Sequence, residues 1–116
     1  MEDLYLSSKK ITVVLPVYNN SGTLEKLVSK LEKYLKKKSS NKFEIIMIDD
    51  GSKDNSWNII SNLCTKKKYI KGIKLNRNYG QHSALLAGLR EAKGDFVFTM
   101  DADLQDRVED LDLFLK

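Results

Sequence analysis

Residues 11–20 read ITVVLPVYNN, an apolar run that meets the single proline of the chain and then gives way to polar side chains. Three further runs follow it: FEIIMI at 43–48, IKGIKL at 70–75 and FVFTM at 96–100. Short runs rich in β-branched and aromatic residues predict strands. The first, second and fourth runs are nearly continuous in apolar residues, which predicts strands that are buried on both faces.

Helical patterns lie between these strands. Leucine and valine recur at helical spacing between residues 24 and 35, with Ser21 as the predicted N-cap. A second helix is predicted after a cap at Asp54. Its inner face is formed by Trp57, Ile60 and Cys64. A third helical segment, residues 84–89, is rich in small residues that allow a close approach to a sheet.

The alternation of strands and helices predicts the fold class α/β. Right-handed crossovers then give a Rossmann-like parallel sheet of about four strands in the order 3-2-1-4, with helices on both faces. Residues 1–116 are predicted to form a single domain. A further helical pattern at 108–115 reaches Lys116 without a cap or a glycine, which indicates a domain truncated at its C-terminus.

Composition excludes several kinds of site. One cysteine, Cys64, and one histidine, His82, cannot form an internal disulfide or a Cys/His zinc site, so any metal must be held by oxygen ligands. The glycines form neither GxGxxG nor GxxxxGK[ST], the two commonest phosphate-binding loops. The N-terminus lacks the pattern of a signal peptide, and a cytoplasmic location is expected.

The net charge of +4 comes from 20 basic and 16 acidic residues that are unevenly distributed. Segments 26–42 and 66–77 are rich in lysine, whereas segment 95–112 is acidic. We interpret the lysine runs as the exposed faces and ends of helices. The alternative is a face turned toward anionic lipid headgroups or a polyphosphate. Nucleic acid is not an expected partner, because the basic runs lack regular aromatic residues.

Carboxylates follow two of the predicted strands. Asp49 and Asp50 come after the second strand, and Asp101 and Asp103 come after the fourth, so both pairs are expected at the ligand-binding edge of the sheet. Two carboxylates in one space, followed by Gln105, favour Mg²⁺ or Mn²⁺ bound together with a diphosphate. The structural alternative is that these residues only form turns and caps.

Pro16 to Asn20 is expected to form the floor between the two acidic pairs. Tyr18 is placed either to pack in the core or to stack on a base. His82 has no serine or cysteine partner, so we assign it to the surface or to a helix N-terminus.

Four stretches together resemble a known family. They are VVLPVYNN (13–20), IIMIDDGSKDNSW (45–57), LNRNYGQHSALLAGL (75–89) and AKGDFVFTMDADLQD (92–106). The chain resembles the family 2 glycosyltransferases of the GT-A fold and, within them, the polyprenyl-phosphate hexosyltransferases such as dolichol-phosphate mannose synthase. The resemblance covers nearly the whole chain and implies that it is the N-terminal, donor-binding part of such an enzyme.

The resemblance implies roles for individual residues near the nucleotide. Pro16 and Tyr18 would line the base pocket, and Asp50, with Asp49 beside it, would bind the base or the ribose. Asn20 stands where the family usually has glutamate, and its amide can form hydrogen bonds but brings no charge. A loop near the nucleotide would contain Arg77 and Asn78.

The resemblance also implies a metal site. Asp101, Asp103 and Gln105 would hold Mg²⁺ or Mn²⁺ and the diphosphate, and Asp101 would also contact the substrate. Arg107 stands where the family commonly has proline, which would alter the turn after these ligands.

The function implied is metal-dependent, inverting transfer of a hexose from a UDP- or GDP-linked sugar to a polyprenyl phosphate or a glycan, in the synthesis of cell-envelope glycans. No catalytic residue is expected within the chain, because any base would lie beyond Lys116. The fragment alone would be inactive, and the whole protein would work in the cytoplasm, at the membrane surface. The alternatives are a non-catalytic nucleotide-binding α/β domain and a nucleotidyltransferase.

Overall fold

The structure, a computed structural model, describes residues 9–39 and 42–102. Strands and helices alternate through the described chain, as the sequence predicted. The elements in chain order are β1 (Ile11–Val17), α1 (Leu24–Ser39), β2 (Phe43–Asp49), α2 (Ser56–Lys66), β3 (Ile70–Lys74), α3 (Gln81–Glu91) and β4 (Phe96–Thr99). The predicted helix at 108–115, together with Asp103, Gln105 and Arg107, lies outside the described residues.

The four strands form one parallel sheet in the order β3-β2-β1-β4, which confirms the predicted order. Val13 of β1 lies between Ile45 of β2 and Phe98 of β4. Every residue of β1 and β2 is buried, because each of these strands has a neighbour on both sides and helices above and below. The sheet order reverses beside β1, and such a point forms a crevice at the carboxyl ends of the strands.

The helices cover both faces of the sheet, also as predicted. One core cluster joins α1 and α2 to the face that carries Val13, Leu15 and Met47. A smaller cluster joins Ala84 of α3 to the opposite face. The inner face of α2 packs over the edge strand, where a Cβ on Gly72 would lie 2.7 to 3.4 Å from atoms of its neighbours. These neighbours are Ile60, Cys64 and Trp57, the three residues predicted for that face.

Two predicted helix caps are wrong. Ser21 is not the N-cap of α1, because the helix begins three residues later at Leu24 and the N–H of Ser21 instead donates to Asp54 Oδ2. Asp54 is also not at the cap position of α2, which is Asn55. Asp54 Oδ1 nevertheless accepts the N–H of Ser56, the first residue of α2, at 2.9 Å.

β1 extends through Pro16 to Val17, two residues further than predicted. A proline has no N–H for a ladder and is rare inside a sheet. The pairing with β4 has already ended at Val14 and Thr99, so Pro16 lies where no donor toward that side is needed. Within the described residues, no helix has the length and apolar character needed to cross a membrane.

Candidate functional site

A pocket of about 200 Å³ opens at the carboxyl ends of β1, β2 and β4. It lies at the point of the sheet where the strand order reverses, the usual place for ligands in an open α/β sheet. The residues that line it are Pro16, Val17, Tyr18, Asn20, Asp50, Gln81, Asp101 and Ala102. The structure thus brings together five of the residues expected at the site, and their roles toward a ligand stay predictions.

Asp50 lies in the pocket wall and is only 3% exposed. Its Oδ1 accepts the N–H of Tyr79 at 2.8 Å, and its Oδ2 accepts the N–H of Gly80 at 3.1 Å. The carboxylate therefore fixes the loop that enters α3. Each carboxylate oxygen has two acceptor positions, and the described part of the chain occupies one on each oxygen.

Asp49 does not line the pocket, although it precedes Asp50. Side chains alternate across a sheet, and Asp49 pairs with Val17 on the face covered by α1 and α2. Its Oδ1 accepts the N–H of Ser52 at 3.2 Å, which closes the turn after β2. Among the described residues, its buried Oδ2 has no hydrogen-bond partner.

The loop after β1 is held in place by the loop after β2. Asn19 takes a left-handed conformation, with φ of 54°. Its N–H donates to Ser52 Oγ at 2.9 Å, and its Oδ1 accepts the N–H of Lys53 at 2.9 Å. Asn20 Oδ1 accepts the N–H of Tyr18 at 2.9 Å, so its amide NH₂ is the group that can serve a ligand. Tyr18 presents its ring to solvent, with 44% of the residue exposed.

Asp54 completes this contact between the loops. Burial acts to raise its pKa, but hydrogen bonds from Ser56 and Ser21 outweigh that effect and lower the pKa to about 2. The carboxylate is thus ionised throughout the range in which proteins usually work. It joins the loop after β1 to the start of α2.

Asp101 lies across the pocket and meets a residue that the sequence did not single out. Gln81, the first residue of α3, donates a hydrogen bond from Nε2 to Asp101 Oδ1 at 2.6 Å. The next residue, Ala102, accepts a hydrogen bond from Thr23 Oγ1 at 3.3 Å, which ties the end of β4 to the start of α1. The sequence feature that could have identified Gln81 is its place directly after Gly80, where α3 begins.

Arg77 and His82 lie outside the pocket lining. The Arg77 guanidinium stacks on the exposed ring of Tyr79 at 4.8 Å, and the backbone of Asn78 passes over Gly51. His82 is exposed in the first turn of α3, which confirms its expected place.

Of the three residues expected to hold a metal, only Asp101 lies among the described residues. Residues 9–39 and 42–102 contain no group of three or more His, Cys, Asp or Glu side chains able to hold a metal ion. Within the same residues, Asp101 Oδ2 has no hydrogen-bond partner, whereas Oδ1 is held by Gln81. One or two carboxylates are sufficient for Mg²⁺ when substrate phosphates complete its shell. The other expected ligands, Asp103 and Gln105, lie outside the described residues.

Comparisons with known proteins agree with this architecture. Undecaprenyl-phosphate 4-deoxy-4-formamido-L-arabinose transferases are 44% identical over 104 residues in Aeromonas hydrophila and 43% over 103 in Proteus mirabilis, matching 89% and 88% of this chain. The chain spans 32% and 31% of the length of these relatives.

Among solved structures, S. aureus TarS 1-349 in complex with UDP-GlcNAc matches with a TM-score of 0.72 and 27% identity, over 90% of this chain and 30% of that one. The mannosyltransferase PcManGT of Pyrobaculum calidifontis, in complex with GDP-Man and Mn²⁺, has the same fold, with a TM-score of 0.74 and 23% identity over 82% of this chain and 28% of its own. The family model described as glycosyl transferase family 2 matches residues 12–116. This chain therefore belongs to glycosyltransferase family 2.

Proposed function

We propose that the whole protein transfers a sugar from a nucleoside-diphosphate donor to a polyprenyl phosphate, and that this chain carries the donor site. The observation that carries the proposal is the pocket in which Tyr18, Asp50 and Asp101 meet at the carboxyl edge of the sheet. The relatives named for undecaprenyl phosphate support the acceptor, and the TarS complex with UDP-GlcNAc supports the class of donor. Arabinose is a pentose, so the names of these relatives do not support the expected hexose, and the sugar has to be determined by experiment.

The nucleoside would bind on the β1 side of the pocket. The exposed Tyr18 ring beside Pro16 offers a surface for stacking on a base. Asp50 can accept a hydrogen bond from a base imide or a ribose hydroxyl, because the described residues occupy only one acceptor position on each of its oxygens. The Asn20 NH₂ can donate to a base carbonyl or to ribose.

The diphosphate would bind on the β4 side. Asp101, with Asp103 and Gln105, would hold Mg²⁺ or Mn²⁺, whose charge favours departure of the nucleoside diphosphate. The N-terminus of α3 begins at Gln81 and adds a favourable partial positive charge near these anions.

The reaction is a displacement at C1 of the sugar. An oxygen of the acceptor phosphate forms the new bond to C1 from the face opposite the donor phosphate. The bond between C1 and the diphosphate oxygen breaks, and the nucleoside diphosphate leaves with the electron pair. A single displacement inverts the anomeric centre. A phosphate monoester is largely ionised at neutral pH, so this acceptor needs no general base from the chain.

The test is calorimetric titration of the whole protein with UDP and with GDP, each with and without Mn²⁺. We expect one nucleotide to bind more than about tenfold tighter with Mn²⁺, and Asp101→Asn to remove most of that gain. Asp95→Asn is the matched control, because Asp95 is an exposed aspartate at the opposite end of β4. Tight binding of a nucleotide with no metal effect, and no sugar transfer to undecaprenyl phosphate, would favour a non-catalytic nucleotide-binding domain instead.

A further inference from the structure

Gln81 lines the pocket and forms a hydrogen bond across it to Asp101. It is the first residue of α3 and places its Nε2 atom 2.6 Å from Asp101 Oδ1. The preceding residue, Gly80, has φ of 101°, a conformation that favours glycine, and its N–H is held by Asp50 Oδ2. The backbone at Gln81 is thereby fixed before its side chain reaches across the pocket.

We infer that Gln81 is a positioning residue that orients the carboxylate of Asp101 toward the metal and the diphosphate of the donor. The inference rests on the proposed function and adds to it a residue that neither the resemblance nor the pocket chemistry had assigned. Gln81 acts through Asp101 and is not itself a ligand.

The hydrogen-bond inventory of the two side chains supports this role. A glutamine amide nitrogen donates only, so its bond to Oδ1 defines which Asp101 oxygen is occupied. Among residues 9–39 and 42–102, Oδ2 has no hydrogen-bond partner and could serve as a single-oxygen ligand. Hydrogen bonds to the second oxygen of a ligating carboxylate are the usual way in which proteins orient it. A bond to an ionised acceptor is also stronger than a neutral one.

The same contacts connect the two ends of the pocket. Asp50, on the nucleoside side, holds the N–H groups of Tyr79 and Gly80, and Gln81 follows directly and holds Asp101 on the diphosphate side. The connection makes the position of the metal ligand depend on the segment that Asp50 fixes.

The test is Gln81→Met in the whole protein, since methionine has a similar length but no donor. We expect the dissociation constant of Mn²⁺ in the presence of the preferred nucleoside diphosphate to rise about 10- to 100-fold, measured from the electron paramagnetic resonance signal of free Mn²⁺. Affinity for the nucleotide without metal should change by less than about threefold, because the groups proposed for the nucleoside are untouched. Ser83→Met, which introduces the same residue at an exposed position of the same turn, is the control and should leave both constants unchanged.

A second variant covers the case in which Gln81→Met does not fold. Gln81→Asn keeps the amide but shortens its reach by one carbon–carbon bond, and we expect the same selective loss of Mn²⁺ affinity. Variants that fold and bind Mn²⁺ as the wild type does would overturn the positioning role while leaving the proposed function intact. A wild-type protein that binds no nucleotide in a metal-dependent way would overturn the proposed function, and the positioning role with it.

Discussion

Gly51 shows how a single residue shapes the site from outside it. Its φ is 72°, and a Cβ at this position would lie 2.3 Å from the backbone nitrogen of Asn78 and 2.4 Å from the carbonyl carbon of Arg77. The turn after β2 and the loop before α3 therefore pass closer together than any side chain permits. This close approach is what allows Asp50 to reach the N–H groups of Tyr79 and Gly80.

Gly51→Ala should destabilise the protein by about 2–4 kcal/mol. The alanine would be held in a left-handed conformation, and its Cβ would clash with backbone atoms, which cannot move aside as a side chain can by changing its rotamer. Urea unfolding of the whole protein measures the change. Gly22→Ala is the control, since nothing lies within 4 Å of a Cβ there, and it should stay within about 1 kcal/mol of wild type. Equal stability of the two variants would show that the loops can separate at little cost.

The sequence predicts single site residues well where the fold alone determines their place. Asp50 and Asp101 follow strands, and the carboxyl ends of parallel strands share one edge, so both reach the pocket. Asp49 was expected beside Asp50, yet the alternation of side chains places it on the other face. The contact between Gln81 and Asp101 joins residues 20 positions apart, and no local pattern reports such a pair.

At the scale of elements, the approach of α3 to the sheet depends on small side chains. A Cβ on Gly88 would lie 2.5 Å from Val14 Cγ1 and 2.5 Å from Ile48 Cδ1. The sequence predicted this close packing from residues 84–89. It could not predict where strands end, because the end of β1 depends on how far its neighbours extend, as the place of Pro16 beyond the last β4 pair shows.

Glu44 is a buried charged residue within β2, a strand that the sequence predicted from its apolar residues. Glu44 is 3% exposed, and its Oε2 accepts hydrogen bonds from Thr12 Oγ1 and the Lys93 N–H, both at 2.7 Å. Lys71 Nζ pairs with Oε1 at 3.1 Å. Burial acts to raise the pKa of Glu44, but these donors outweigh it and hold the pKa below its ordinary value. A buried carboxylate thus joins β1, β2, β3 and the turn before β4.

Glu32 connects α1 to the end of α2 and makes that contact sensitive to pH. Lys67 Nζ lies 2.9 Å from its Oε1, and this hydrogen bond, the largest effect, helps to lower the pKa from 4.5 to about 2. A carboxyl group whose pKa is lower in the folded state stabilises the protein above pH 4.5, and the contribution is lost as the pH falls toward 2.

Glu32→Gln should therefore lower the Tm at pH 7, and its Tm should converge with that of wild type as the pH approaches 2. Thermal unfolding of the whole protein in steps from pH 7 to 2 measures the two curves. Lys67→Met removes the main partner and should reproduce the loss at neutral pH. Curves for wild type and Glu32→Gln that stay a constant distance apart down to pH 2 would contradict the assignment.

At the scale of the whole molecule, many of the described lysines lie at one edge of the sheet. The pocket edge carries aspartates, whereas lysines collect where α1 and α2 end, at the amino ends of the strands. This basic edge contains Lys36, Lys37, Lys38, Lys42, Lys66, Lys67 and Lys68. The sequence predicted the lysine runs as helix ends, and cations are favoured there by the helix dipole. The net charge of +4 does not by itself show that these lysines are concentrated at one edge.

The distance between the basic edge and the pocket argues against the basic edge as the side that would meet a lipid acceptor. β1 has seven residues, so the basic edge and the pocket lie about 20 Å apart along the strand. The surface charge of a membrane is screened within about 8 Å at physiological salt. A bilayer that contacted the lysines would leave the pocket facing away from it. The proposed polyprenyl phosphate acceptor would have to reach the pocket with its chain still in the lipid.

We therefore expect Lys37→Glu combined with Lys68→Glu to leave sugar transfer to undecaprenyl phosphate unchanged within about twofold, because both exposed side chains lie at the far edge and beyond the screening distance. The whole protein would be assayed on vesicles with about one third anionic lipid and on neutral vesicles, with binding to each followed by sedimentation. If sugar transfer fell more than tenfold on anionic vesicles but not on neutral ones, the basic edge would be shown to contact the membrane. The acceptor would then have to reach the pocket around the side of the sheet, because the strands themselves separate the two edges.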